Sequence, residues 1–427
     1  MNIKFVKEKN YNFHYITVEN FRHSSIGLVF TAPFEPKKTV AFSLLTDILT
    51  EGSKDFPSRK YTVRYMDEHY MYDFYGSFTK IGKSIQAIIS CDYIDSKYVD
   101  DEENYLDTVY KFVFETISNP LVINNGFDEK IFNSVKQRHI KGLRALDGNN
   151  RFIANNRAIN LYSKDPEISF HMHDMIDYIE SLTPQDLYEA YKEFVKSTSI
   201  DVFIMGSDNI SEVQKLVKKY FPFKETCPYK KYEEMTKTEH RGFIKKKFEK
   251  SSYKQSNVYL IYNLSDPTMF EREYVSSYYL NILCDGGLNS KLHKSLRTDA
   301  QLCYGVGASY WDRSKILVIN STVRVGKEKL AIKLMKKCVK EMITDISDDE
   351  FTGAYYSIQR GLKGVTDSMG AMGRIYLNNY FSNFSTYEEK LVKSKHVKIS
   401  QIKSFAQKFK LNTVYVLKGD INERTED

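Results

Sequence analysis

Residues 283–310, LCDGGLNSKLHKSLRTDAQLCYGVGASY, contain the change of pattern that decides the fold. Leucines recur at every fourth position after the glycine pair, which predicts one buried stripe of a helix that stops at Thr298-Asp299. Apolar residues then recur at every second position, which predicts one face of a strand. The leucines are Leu288, Leu292 and Leu296, and the strand residues are Leu302, Tyr304, Val306 and Ala308. A helix therefore turns sharply into a sheet here.

Arg297 stands at the end of this predicted helix, and Tyr304 stands near the start of the strand. A guanidinium and a phenol across one turn form a donor pair that can hold a carbonyl oxygen and the charge that develops on it. The alternative is that Arg297 only stabilises the C-terminus of the helix and that Tyr304 is an ordinary strand residue, since this arrangement has the same spacing. The pair alone therefore does not distinguish a site from a structural coincidence.

Composition excludes several classes of protein. The 427 residues exceed what one hydrophobic core usually serves, so two domains are expected. The net charge of +7 comes without a dense Lys/Arg block, which argues against a nucleic-acid partner. Five scattered cysteines without a C-x-x-C pair favour a reducing, cytoplasmic location. No run of 18 apolar residues or signal-like leader occurs, so we expect neither export nor a membrane partner.

The order of predicted elements appears twice along the chain. Gly206 corresponds to Gly419 at an offset of 213, Phe194 to Phe409 at 215 and Gly52 to Gly286 at 234. Such constancy predicts two α+β domains of common design, each a mostly antiparallel sheet with helices packed on one face. We place the first domain at residues 1–222, a Lys/Glu/Tyr-rich linker at 223–256 and the second domain at 257–427.

At this point the sequence resembles the insulinase, or pitrilysin-like, peptidase family, whose members carry two such domains per half-clamshell. The first long helix of those proteins bears the zinc signature H-x-x-E-H, followed after four residues by a glycine. Counting back from Gly52 puts the signature on Ser43, Thr46 and Asp47. Hydroxyls are poor zinc ligands and cannot act as a general base near pH 7. We therefore predict no metal in this chain.

The family's third zinc ligand, a glutamate on a later helix, aligns near Arg138. A guanidinium 4 Å from a divalent ion costs about 8 kcal/mol at an effective dielectric of 20, which is twice the unit-charge figure. The sequence thus predicts a position that excludes zinc.

The resemblance also implies roles for the stretch quoted first. Arg297 and Tyr304 keep the family's spacing of seven residues, and in the family this pair binds the scissile carbonyl and stabilises the tetrahedral intermediate. Gly286 and Gly287 match the start of the same segment and are predicted to bind substrate. A chain that keeps the Arg/Tyr pair but lacks the zinc signature resembles the non-catalytic subunit of a bacterial two-chain peptidase. Its expected partners are a peptide substrate and a homologous sister chain that carries H-x-x-E-H and the zinc.

Two other functions stay open on the sequence. The chain would also suit a non-enzymatic scaffold or peptide-binding protein of the same fold. An independent metalloenzyme would need another site, and His171 and His173 form the one close histidine pair. A surface loop is the favoured interpretation of that pair, because no third ligand stands at a known spacing.

Overall fold

The computed structural model describes residues 2–99, 104–227, 236, 238–239 and 241–420, and the side chain of Tyr304 lies outside the described part. Two compact units are present. Unit 1 comprises residues 1–144 and 172–234, and unit 2 comprises residues 145–171 and 235–427. Within the described ranges, none of the helices combines the length and the apolar character needed to cross a bilayer.

The strands belong to two large sheets and one short hairpin. In chain order they are β1 Asn2–Lys7, β2 Asn12–Thr17, β3 His23–Pro33, β4 Met71–Ile81, β5 Ser84–Ile94, β6 Val122–Ile123, β7 Gly126–Phe127, β8 Ser199–Gly206, β9 Lys245–Lys250, β10 Gln255–Leu264, β11 Cys303–Trp311, β12 Ile316–Arg324 and β13 Phe409–Lys418.

Helices fill the intervals between the strands. In chain order they are α1 Pro36–Glu51, α2 Arg59–Glu68, α3 Tyr105–Ser118, α4 Glu129–Arg144, α5 Asn150–Tyr162, α6 Pro166–Ser169, α7 Ile176–Ser181, α8 Pro184–Ser197, α9 Ile210–Tyr220, α10 Ser276–Leu280, α11 Glu328–Thr344, α12 Asp348–Lys363, α13 Met369–Ser382, α14 Tyr387–Lys393 and α15 Ile399–Gln407. Helix α10 is extended at both ends by π-helical turns, Glu271–Val275 and Asn281–Asp285.

The two sheets share one topology. The sheet of unit 1 has the order β1-β2-β8-β3-β5-β4, and the sheet of unit 2 has the order β11-β12-β10-β13-β9. Read from β9, the second sheet repeats the order of the first from β2 onward. Each sheet is antiparallel except for one parallel pair, β2 with β8 and β13 with β9, at equivalent places. This match confirms the predicted pair of similar α+β domains.

The second sheet is covered on both faces, which corrects the predicted domain boundaries. One face of β10 packs Val258 and Leu260 into a cluster with helices α11 and α15. The opposite face packs Tyr259 and Ile261 against Ala158 of α5, which the sequence analysis had placed in the first domain. Helix α5 belongs to unit 2 because its apolar side covers sheet residues that water would otherwise reach.

The predicted linker at 223–256 is also partly wrong. Residues Lys245–Lys250 form β9, which pairs parallel to β13 as the edge strand of the second sheet. Charged residues are common on edge strands because they discourage pairing with other chains. The lysines of β9 therefore replace the apolar alternation by which a strand is recognised in a sequence. Several other residues of the predicted linker, including 228–235, lie outside the described part.

Helix α1 packs closely on the edge strand of the first sheet. Pro36 occupies its first turn, where the missing amide proton costs nothing, and ten of its side chains are buried. Gly76 of β4 faces Thr46 so closely that a Cβ added at Gly76 would lie 2.3 Å from the Thr46 carbonyl oxygen. The absence of a side chain at Gly76 therefore sets the distance between β4 and the middle of α1.

Candidate functional site

A tight glycine turn precedes the segment that carries Arg297. The Gly286 amide donates to the Asn281 carbonyl at 2.8 Å, and Gly287 has a φ of +69°, which favours glycine. The Ser290 hydroxyl donates to the carbonyls of Cys284 (2.9 Å) and Gly287 (2.7 Å). These bonds fold the chain back on itself, so that the next helix begins directly beside the end of the preceding one.

Buried leucines fix the orientation of that next helix. Leu292 and Leu296 are fully buried, as predicted, and Arg297 is exposed. The predicted third member of the stripe is wrong, because Leu288 is 60% exposed. Leu288 lies in a separate 3₁₀ turn, Gly287–Asn289, and the positive φ of Gly287 turns it away from the core.

The turn that carries Arg297 is π-helical. It spans His293–Asp299, and the Ala300 amide closes its last turn on the Ser295 carbonyl at 3.2 Å. The Leu302 amide then reaches back to the Leu296 carbonyl at 2.9 Å, and Gln301 adopts a φ of +49°. Widened turns of this kind often occur at functional sites. The change from helix to strand occurs where it was predicted, and hydrogen bonds within residues 283–310 hold the turn between the two elements.

Tyr304 follows in β11, where the pairing with β12 shifts between Cys303 and Val306. Such an irregularity re-aims side chains relative to a regular strand. The side chain of Tyr304 lies outside the described residues. Its pairing with Arg297 stays a prediction.

Other polar groups surround Arg297, and the sequence analysis missed their grouping. Burial lowers the pKa of His293, and the positive charge of Arg297 lowers it further, whereas Asp285 opposes both. Burial raises the pKa of Asp285, with His293 opposing. The Nδ1 atom of His293 is buried and has no hydrogen-bond partner among the described residues. With its pKa lowered, His293 adds no full positive charge beside the guanidinium near pH 7.

Cys303 completes this group on the strand side. Burial raises the pKa of its thiol, while a hydrogen bond with Ser321 and the charge of Arg297 act in the opposite direction. The thiol is thus kept neutral and adds no negative charge beside the guanidinium. A guanidinium close to an edge strand suits a carbonyl oxygen that becomes negative.

The positions of the zinc signature hold different chemistry. Ser43, Thr46 and Asp47 lie on α1, and the Thr46 hydroxyl is used locally, donating to the Ser43 carbonyl at 2.8 Å. Asp47 Oδ2 lies 2.8 Å from His139 Nε2. Of the donors at these positions, only Asp47 is a good zinc ligand, and it is already bonded within the protein.

Arg138 lies where the sequence alignment placed the third ligand. Its guanidinium donates to Glu51 at 2.7 Å and lies 3.6 Å from Asp47 Oδ2. Among the described residues, no group of three or more His, Cys, Asp or Glu side chains is arranged to hold a metal ion. A fixed positive charge beside the one remaining carboxylate at the signature positions repels a divalent cation. These residues do not fit a zinc site.

The histidine pair near residue 172 offers no replacement. His173 Nδ1 lies 3.8 Å from Asp174 of its own short turn. The His171 ring packs edge-on to Phe152, with 6.4 Å between ring centroids. Both histidines thus have local partners, and neither belongs to a metal-binding group in the described part of the chain.

The fold and these positions define a class: a protein of two similar α+β units in which the described residues at the positions of the zinc signature form no metal-binding group. A family model described as "Peptidase M16 inactive domain" matches residues 181–355. The "Probable inactive metalloprotease YmfF" of Bacillus subtilis (strain 168) is 22% identical over 408 residues, which cover 95% of each chain. Over residues 181–355 the chain therefore matches the M16, or insulinase-like, family, and both this model and the Bacillus subtilis relative are described as inactive.

Solved structures share the whole fold. A conserved protein from Enterococcus faecalis V583 superposes with a TM-score of 0.90 at 20% identity, covering 99% of this chain and 100% of the other. A peptidase M16 inactive domain from Pseudomonas fluorescens gives a TM-score of 0.77 at 14% identity and covers both chains fully. At these identities the likeness establishes the fold alone.

Proposed function

We propose that this chain is the catalytically incomplete subunit of a cytoplasmic two-chain zinc peptidase. It would bind a peptide and supply Arg297 and Tyr304 in trans to a homologous sister chain that carries H-x-x-E-H. The observation that carries this proposal is the contrast between two helices. On α1 the ligand positions hold Ser43, Thr46 and an ion-paired Asp47, whereas the Arg297 segment keeps its glycine turn, its buried leucines and an exposed guanidinium.

In this arrangement the groups of this chain act on the carbonyl oxygen. Arg297 would hold the oxygen of the scissile bond in the substrate and stabilise it more strongly as negative charge develops, with Tyr304 as the second donor. The buried Leu292 and Leu296 would hold the helix that presents the guanidinium. The zinc and the base that activates water would both belong to the sister chain.

Peptide binding is supported by the position of β11. This strand is an edge of the second sheet, and it begins four residues after the π-helical turn that carries Arg297. An edge strand presents unpaired backbone groups, so an extended peptide can add to it largely independently of its sequence. A peptide aligned along β11 would run past the start of the strand, where Tyr304 lies.

The test is reconstitution with the sister chain that carries the zinc signature. Arg297→Ala is expected to lower kcat/KM for peptide cleavage by about 10²–10³-fold, the usual loss for one oxyanion-binding donor. Lys294→Ala is the matched control, because Lys294 is exposed on the same helix, and it should change kcat/KM less than twofold. Arg297→Lys keeps the charge but loses the planar fork, so its activity should fall between the two.

Two outcomes would refute this division of labour. Wild-type cleavage by the Arg297→Ala complex would remove Arg297 from catalysis and leave a scaffold or peptide-binding role. Chelator-sensitive peptide cleavage by this chain alone would show that it does not need a zinc-bearing partner. Co-purification of the two chains, measured for each variant, separates a lost catalytic group from a lost complex.

A further inference from the structure

Four charged or titratable side chains join α1 to α4 in unit 1. His139 lies 2.8 Å from Asp47, and Arg138 lies 2.7 Å from Glu51 and 3.6 Å from Asp47. Asp47 and Glu51 are four residues apart and therefore share one face of α1. Arg138 and His139 are consecutive on α4. We call these four side chains the ionic bridge.

The ionic bridge connects the same two helices that the metal connects in the family that this sequence resembles. There, two ligands stand on the first long helix and a third stands on a later one, so that a cation holds both helices. Here the guanidinium of Arg138 is the cation, and it contacts both carboxylates of α1. We propose that Arg138 serves as the cation that ties α4 to α1 through both carboxylates, so that this packing needs no metal.

Burial makes this bridge more than a surface ion pair. Glu51 is 21% exposed and His139 is 16% exposed, although Arg138 itself is 51% exposed. Isolated exposed pairs contribute little, but a network in which one guanidinium serves two partly buried carboxylates loses less entropy per contact. Removal of Arg138 would also leave the two carboxylates to repel each other across one helical turn.

This inference is independent of the proposed function, because it concerns the folded chain without a partner. Its test is thermal unfolding of the purified chain as a function of salt. Arg138→Gln should lower the Tm by about 2–4 °C at low salt, the shift expected for about 1 kcal/mol in a unit of this size. The difference should shrink in 1 M NaCl, where the screening length is about 3 Å. Arg138→Lys should keep at least half of the stability difference.

A charge swap keeps the test decisive if single variants fold poorly. Arg138→Glu should lower the Tm more than Arg138→Gln, and Glu51→Arg added to it should recover at least half of the loss. If Arg138→Glu lowered the Tm only through changed side-chain volume, adding Glu51→Arg would not restore the Tm. Added ZnCl₂ or EDTA should leave the Tm of the wild-type chain unchanged.

The proposal fails if Arg138→Gln has the wild-type Tm and salt dependence, or if the swapped pair shows no recovery. It also fails if zinc raises the Tm of the wild-type chain and Asp47→Asn abolishes that rise, because a metal would then occupy the place assigned to Arg138. None of these results depends on whether a sister chain cleaves peptides.

Discussion

Gly76 offers the sharpest test of how the first sheet meets α1. A Cβ at this position would lie 2.3 Å from the Thr46 carbonyl oxygen, 2.5 Å from its carbonyl carbon and 2.7 Å from its Cβ, whereas ordinary contacts begin at 3.4 Å. Two of these are backbone atoms of a helix and cannot rotate away. Gly76→Ala therefore requires β4 and α1 to separate by roughly 1 Å, since 3.4 − 2.3 = 1.1.

Overpacking of this kind costs about 1–3 kcal/mol. For a unit of this size the Tm should fall by roughly 2–12 °C, because about 1 kcal/mol corresponds to 2–4 °C. Gly142→Ala is the matched control, since Gly142 lies on α4 of the same unit with open space around its Cβ position. Helix propensity should make that variant equally stable or more stable by up to about 1 kcal/mol.

Thermal unfolding followed by circular dichroism gives both Tm values, and native-state amide exchange shows where the change acts. Protection should fall in β4 and at the middle of α1 in Gly76→Ala, while the second unit keeps its protection. A Gly76→Ala chain that melts with or above the wild type would refute the close backbone approach, and with it the argument that Gly76 sets the strand–helix distance.

Two further predictions concern unit 2. Leu296→Ala should destabilise it by about 2–5 kcal/mol, because Leu296 is fully buried, whereas Leu288→Ala should stay within about 0.5 kcal/mol of wild type; equal urea midpoints would contradict this. Burial alone would raise the pKa of Glu328, but hydrogen bonds from Ser256 and the Gly326 amide outweigh it and hold the pKa below its usual value of 4.5. Because the folded-state pKa is depressed, this stabilisation is present above pH 4.5 and is lost as the pH falls through the folded-state value. Glu328→Gln should therefore be about 1 kcal/mol less stable than wild type at pH 7, with the gap closing at lower pH in melts recorded from pH 7 to 3, and a gap independent of pH would disprove the linkage.

The repeat could be predicted from sequence because glycines close equivalent strands. Gly206 ends β8 and Gly419 directly follows β13, and each lies too close to a neighbouring segment to carry a side chain: an added Cβ would lie 2.1 Å from Ser24 Oγ or 2.4 Å from the Tyr253 carbonyl oxygen. Such packing demands glycine at both places, so the spacing is preserved in the sequence.

The partner of a helix was harder to predict. The apolar side of α5 shows that it covers something, but periodicity does not say which sheet it covers. A signal was available in β10, whose stretch VYLIY is apolar without alternation, as in strands that are buried on both faces. That pattern already required a layer on each side of the second sheet, and α5, together with Ile168 of α6, supplies helical residues of the second layer.

At the candidate site, too, some features could be predicted from the sequence and others could not. The absence of the signature's His and Glu residues at positions 43, 46 and 47 can be read directly from the sequence, since it concerns residue type. The contacts of Arg138 with Asp47 and Glu51 depend on how two helices pack, and the grouping of His293 with Asp285 depends on a glycine turn. Interactions across such distances in sequence carry no local periodicity by which they could be found.

The assignment of α5 to unit 2 has a consequence for how this protein can be divided. A fragment that starts at residue 235 would have its second sheet but not the helix that covers Tyr259, Ile261 and Tyr415. Those side chains would face water, and we expect such a fragment to aggregate rather than fold. The two repeats are therefore inseparable modules despite their common design, and recombination between relatives could exchange the second only together with a segment encoded inside the first.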